Sequence, residues 1–239
     1  MKVNELINKS QKGINEIKLR QLLELRQEIN NNPIFKTMFP PVEMGSITLA
    51  DQIVLLALVQ IVSPKKIIEV GTFLGFTTTL LSMNTEAEII SIDLPKSNNL
   101  KEFKYDINLI EIDHKENDNF LRYQQCIKGE VYLQNLTDKE RERVKLVKSD
   151  STHINFLEKF GVADFIFIDG GHEMNIIKKD TFNARSIVSD GVIIWHDFSS
   201  KIHTEVTKFL KREKNHHIFH VKGSLCAFEF ITNYKDPSV

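Results

Sequence analysis

From Lys66 onward the chain alternates short apolar runs with longer amphipathic ones. Lys66–Val70, Glu88–Leu94, Val144–Lys148, Asp164–Asp169 and Gly191–His196 have the length of strands and are apolar along most of it. Thr77–Met83, Glu173–Val188 and Lys201–Arg212 carry helical spacing between them. His216–Val221 and Leu225–Thr232 flank Lys222-Gly223-Ser224 and predict a closing hairpin. Strands that are apolar on both faces and separated by helices predict a parallel sheet covered on both sides. The expected fold is therefore α/β: a Rossmann-like, doubly wound, mostly parallel seven-stranded sheet ending in an antiparallel hairpin.

Two helices are expected ahead of the sheet. Asn4–Asn30 spaces Leu6, Ile14, Ile17, Leu22 and Leu23 among charges, and Asn30-Asn31-Asn32-Pro33 ends it. Thr48–Ser63 is apolar almost all round, as a buried helix is. We therefore expect an N-terminal helix and cap segment over residues 1–46 and the main domain over 47–239. Within that domain, Pro95–Arg143 is polar, acidic in places and longer than an ordinary connection. It is expected to be an insertion that partly covers the site as a lid.

In an open α/β sheet, ligands bind at the carboxyl ends of the strands. All five predicted parallel strands carry an acid there or just beyond: Glu69, Asp93, Asp150, Asp169 and Asp197. Carboxylates crowded at one edge repel one another unless something compensates them. Asp150-Ser151-Thr152 alone reads equally well as a helix N-cap, but the whole row points to a ligand with several donors and a positive charge. The glycines narrow the choice. Gly71 and Gly75 are spaced G-x-x-x-G, and the G-x-G-x-x-G that brings backbone up to a pyrophosphate is missing. S-adenosylmethionine has no phosphate; its sulfonium and amino group suit an acid near the first glycine, and its ribose diol suits Asp93.

With these residues in hand, E-V-G-T-F-L-G-F-T-T resembles the cofactor loop of class I S-adenosylmethionine-dependent methyltransferases, the small O-methyltransferases of the catechol and caffeoyl-CoA type. D-F-I-F-I-D-G-G-H and G-V-I-I-W-H-D-F more closely resemble a bacterial branch of methyltransferases often found near sugar-modifying genes. The likeness runs from about Ile47 to Phe230, with Pro95–Arg143 unmatched. It implies that Glu69, Gly71, Thr72, Phe73 and Thr77 line the methionine end of the cofactor. Asp93 takes the ribose hydroxyls, and Asp150 and Ser151 border adenine. Asp169 stands beside the cofactor, and Met44–Thr48 closes over it. The implied activity is O-methylation of a small hydroxylated acceptor: a sugar, a nucleotide sugar or a secondary metabolite. The other readings are a catalytically silent cofactor-binding partner subunit and a nicotinamide-dependent oxidoreductase.

A sugar hydroxyl does not ionise at neutral pH, so the enzyme needs a base or a metal. His172, with an ordinary pKa of about 6.5, is the expected base, with Asp169 and His196 beside it. The metal-dependent relatives use two acidic or amide residues after the fifth strand, where this chain has His196-Asp197. A divalent ion on Asp169, His196 and Asp197 is the alternative; the nitrogen ligand would favour manganese, iron or zinc over magnesium. Phe198–His203 lies beside the same edge, in reach of an acceptor.

Composition excludes other classes. Lys plus Arg number 31 against 32 Asp plus Glu, so no global field draws nucleic acid or an anionic membrane. No apolar run approaches the roughly 20 residues of a bilayer span. The two cysteines, Cys126 and Cys226, make neither a disulfide framework nor a zinc site, and a cytoplasmic protein is expected. Trp195 is expected in the core, and the apolar second helix leaves room for a homodimer.

Overall fold

The computed structural model describes residues 2–39 and 44–232. Its centre is one eight-stranded sheet in the order β4-β3-β2-β5-β6-β8-β7-β1. The strands are β1 (Gly13–Ile17), β2 (Lys66–Val70), β3 (Glu88–Asp93), β4 (Val144–Lys148), β5 (Phe165–Ile168), β6 (Gly191–Trp195), β7 (His217–Val221) and β8 (Ala227–Ile231). All pairings are parallel except those of β8, which runs antiparallel to both β6 and β7. The helices are α1 (Val3–Lys9), α2 (Leu19–Ile29), α3 (Leu49–Val62), α4 (Phe76–Asn84), α5 (His114–Lys128), α6 (Asp138–Glu142), α7 (Phe156–Phe160), α8 (Met174–Ile187) and α9 (Thr204–Leu210).

The strand alternation divides the core into two layers. Ile67, Ile89, Phe165, Phe167, Val192 and Ile194 pack with α2, α3 and α4 on one face. Ile68, Ile90, Ile166, Ile193 and Trp195 pack with α7, α8 and α9 on the other. Trp195 is core, as expected, and its indole donates to Thr181 Oγ1 at 2.9 Å. The apolar surface of α3 is largely covered within the chain, from Val54 to Val59 and at Ile61.

The sheet has eight strands rather than the expected seven because Asn4–Asn30 is not one helix. Gly13 adopts φ +100°, outside the helical region. The chain turns there and lays Gly13–Ile17 beside β7, with Ile14 opposite Ile218 and Ile17 opposite Val221. Tertiary pairing thus overrides a helical spacing in which only a few apolar residues per turn were available. The expected boundary at 46/47 falls between α2 and α3, and β1 from before it joins the sheet that follows it. Pro95–Arg143 is a helical insertion between β3 and β4, containing α5 and α6. Among the described residues, no helix is long and apolar enough to cross a membrane.

Candidate active site

The carboxyl ends of β2, β3, β5 and β6 open into a cavity of ≈ 450 Å³. This lies within the roughly 300–1,000 Å³ typical of small-molecule sites. Its floor is the β2–α4 turn. Gly71 has φ +100°, and a Cβ there would stand 2.0 Å from the Asp169 carbonyl oxygen. Only glycine lets the ends of β2 and β5 meet this closely. Gly75, at φ +81°, is the left-handed residue that opens α4.

Four of the five edge acids, Asp93, Asp150, Asp169 and Asp197, line the cavity, as do Gly71, Phe73 and Ser151. Glu69, Thr72 and Thr77 do not, which corrects the expectation that they face the cofactor. Strand alternation turns Glu69 onto the α4 face, where it is fully buried. Ser91 Oγ donates to its Oε2 at 2.5 Å and Thr78 donates to the same oxygen. Its Oε1 is buried without a partner. Burial dominates these bonds and pushes the Glu69 pKa up to about 8. Thr72 Oγ1 shares a hydrogen bond of 2.6 Å with Ser91 instead of reaching the cavity.

Asp93 lines one end of the cavity. Its Oδ2 accepts from Phe73 N at 2.8 Å, and its Oδ1 accepts from Leu94 N at 2.8 Å. Burial raises its pKa, with Lys148 opposing. Gln125 of α5 also donates to Asp93 Oδ2. The insertion is thus part of the site: Asn117, Asp118, Leu121, Arg122 and Gln125 share one face of α5 and wall the cavity. Met44, Gly45 and Ser46 line another side of the cavity. Residues 40–43, just ahead of Met44, lie outside the described residues.

At the other end three imidazoles are interleaved with four carboxylates. His172 Nδ1 lies 2.9 Å from Asp118 Oδ1, and its Nε2 lies 3.0 Å from Asp197 Oδ2. Burial disfavours the charged ring, but these two hydrogen-bonded carboxylates prevail and hold its pKa up at about 10. In this arrangement His172 is an imidazolium with both nitrogens engaged. That differs from the free base its ordinary pKa predicts. His196 Nδ1 sits 3.1 Å from Asp169 Oδ1 and 3.4 Å from Asp197 Oδ2, and its Nε2 is 3.5 Å from Asp51 Oδ2. Burial again opposes the charge, but Asp169 and Asp197 raise its pKa well above normal. The two rings in turn hold the Asp197 carboxyl well below its usual range against burial. Asp197 is itself at φ +62°, a strained backbone position of the kind found at functional sites.

His203 stacks on His172 with ring centroids 3.5 Å apart. Burial and the neighbouring His172 charge lower its pKa, so it is neutral. For a metal, the convergent donors include Asp169, His172 and Asp197, with ligand atoms within 4.8 Å of one another. His196 is not among them. Of the expected set Asp169, His196 and Asp197, the two aspartates belong to this group, and His196 Nδ1 lies within 3.4 Å of an oxygen of each.

Asp51, Asp118, Arg122 and Gln125 were not legible as site residues in the sequence. Asp51 looks like an ordinary capping-box acid of α3, and it is one. Its other oxygen accepts from Leu225 N, which ties α3 to the cavity rim.

Residues 68–198, more than half of the chain, match the family model described as "Methyltransferase domain". The chain belongs to this methyltransferase family. Among solved structures, this methyltransferase is similar to the calicheamicin methyltransferase CalS11, at 12% identity and TM-score 0.50, covering 89% of this chain and 90% of that one. It is also similar to an O-methyltransferase from Bacillus cereus in complex with SAH, at 15% identity and TM-score 0.47, covering 89% and 90%. A third, the O-methyltransferase TomG from Streptomyces achromogenes in complex with SAM, is 11% identical with TM-score 0.48, covering 90% and 89%. No curated protein matches the methyltransferase. At 12% identity the likeness to CalS11 speaks for the fold alone, and the chemistry rests on the site.

Proposed function

We propose that this methyltransferase uses S-adenosylmethionine to O-methylate a small hydroxylated acceptor: a sugar, a nucleotide sugar or a secondary metabolite. The observation that carries the reading is one cavity with two unlike ends. A buried carboxylate, Asp93, and the Asp150–Ser151 turn suit a nucleoside at one end. The histidine–carboxylate cluster suits proton transfer at the other. When bound, S-adenosylmethionine supplies an electrophilic methyl group on a sulfonium.

The chain's own residues do the rest. Gly71 and Phe73 present backbone to the ligand. Asp93 accepts from the ribose hydroxyls, and Phe73 N and Gln125 also donate to it. Asp169 and Asp197 provide negative potential next to the cationic centre. Acceptor entry beneath α5 draws Asp118 away from His172. The ring then loses one of its two carboxylates, and its pKa falls. Nε2 stays hydrogen-bonded to Asp197, and Nδ1 releases its proton to solvent and becomes the free base that takes the acceptor's hydroxyl proton. His196, held between Asp169 and Asp197, keeps those carboxylates in place and balances their charge.

Cys126 and Cys226 are free, which suits the reducing cytoplasm this reading assigns. Isothermal titration with S-adenosylmethionine tests the proposal. Stoichiometric binding that is weakened in Asp93→Asn is expected; a folded protein that binds none would refute it.

A further inference from the structure

We propose that Asp118, His172 and His203 form a binding site for a divalent transition-metal ion, zinc by preference, that clips the insertion helix α5 onto the strand-edge loops. The three side chains offer ligand atoms within 4.8 Å of one another. Asp118 Oδ1 stands 2.9 Å from His172 Nδ1 and 4.0 Å from His203 Nδ1. Ligands about 2.0–2.1 Å from a tetrahedral zinc lie about 3.4 Å apart. The two observed separations bracket that spacing.

A second observation points the same way. His203 is 7% exposed, and its Nδ1 is buried with no hydrogen-bond partner. A buried polar atom left unpaired is uncommon and calls for a partner. The closest carboxylate oxygen to it is the same Asp118 Oδ1 that meets His172. The far nitrogen of His172 is bonded to Asp197 Oδ2 at 3.0 Å. A carboxylate behind a ligating imidazole is how proteins orient a metal-binding histidine.

Two imidazoles and one carboxylate select zinc, cobalt, nickel or iron over magnesium and calcium. The rings are now stacked with 17° between their planes. Binding requires them to splay until their lone pairs converge. Both residues sit on loops, ahead of α8 and α9. The ion replaces the proton on His172 Nδ1, which leaves to solvent. All three residues line the cavity, so the remaining coordination position opens onto it. The bound ion also fixes Asp118, and with it α5, in the closed position. Where the preceding proposal holds, occupancy removes the nitrogen that serves as base, so the ion is inhibitory; the binding site itself does not depend on that reading.

The test uses the full chain, titrated with zinc chloride by calorimetry and with cobalt chloride by visible absorption. One equivalent is expected to bind. Asp118→Asn and His203→Gln should each weaken binding on the order of 100-fold, and Asp197→Asn by roughly 10-fold or more. Asp169→Asn should change it little. Circular dichroism checks each variant, and either ligand variant suffices if the other misfolds. Absence of stoichiometric binding overturns the proposal. So does binding that survives either ligand substitution, or that is lost in Asp169→Asn, which would place the ion between Asp169 and Asp197.

Discussion

Glu69→Gln isolates one buried carboxyl without altering its shape. Glu69 is fully buried, and Oε2 accepts from Ser91 and Thr78, roles that an amide oxygen fills equally well. Its folded pKa is about 8, against an ordinary value of 4.5. The unfolded chain therefore releases this proton near pH 4.5, while the folded protein keeps it up to about pH 8. Between those values the folded state binds one more proton, and stability falls as pH rises. At 1.36 kcal/mol per pH unit, the loss relative to low pH is roughly 3 kcal/mol at pH 7 and roughly 5 kcal/mol by pH 8, where it levels off. Glutamine has no such proton. The stability difference between Glu69→Gln and wild type should therefore swing in favour of the variant by that amount from pH 4.5 to 8. Urea denaturation of both proteins at several pH values, without cofactor, gives the comparison. Parallel stability curves would refute the reasoning and place an ionised Glu69 inside the sheet.

Three further outcomes follow from the same structure. Gly71→Ala should cost at least about 2 kcal/mol, because its Cβ meets the Asp169 carbonyl at 2.0 Å and φ is positive; an unchanged melting temperature would contradict this. Asp93→Asn should weaken S-adenosylmethionine about 10-fold, or ~1.4 kcal/mol, by calorimetry, through loss of a charge-assisted hydrogen bond. His172 should show both ring nitrogens protonated at pH 8 in ¹⁵N-correlated spectra of the free protein. Its folded pKa is raised from 6.5 to about 10, so the stability it contributes is complete below pH 6.5 and is lost as pH rises through about 10. A ring titrating near 6.5 would show that Asp118 is not seated on it.

The sequence was most legible where one physical effect dominated. Continuous apolar runs placed β2 through β8 to within a residue or two, because burial on both faces leaves little else possible. The row of edge acids was readable because strand ends in this topology all face one crevice. Glu69 was misjudged because its orientation depends on strand alternation, and it lies one residue short of the strand end, facing α4 instead of the crevice. β1 was missed because its pairing with β7 depends on residues far along the chain, and local spacing favoured helix. The α5 wall was illegible for a related reason: Asp118 and Gln125 gain their meaning from His172 and Asp93, which the topology alone brings to them.

That late partner for β1 has a temporal consequence. Asn15 donates to the carbonyl of Ile218, 203 residues further along, and β7 is the strand alongside β1. On a ribosome emitting roughly 5–20 residues per second, the first strand waits at least about ten seconds for its neighbour to be made. A pause or stop before β7 should leave Gly13–Ile17 searching for another edge, so nascent chains halted there are the ones to watch for association.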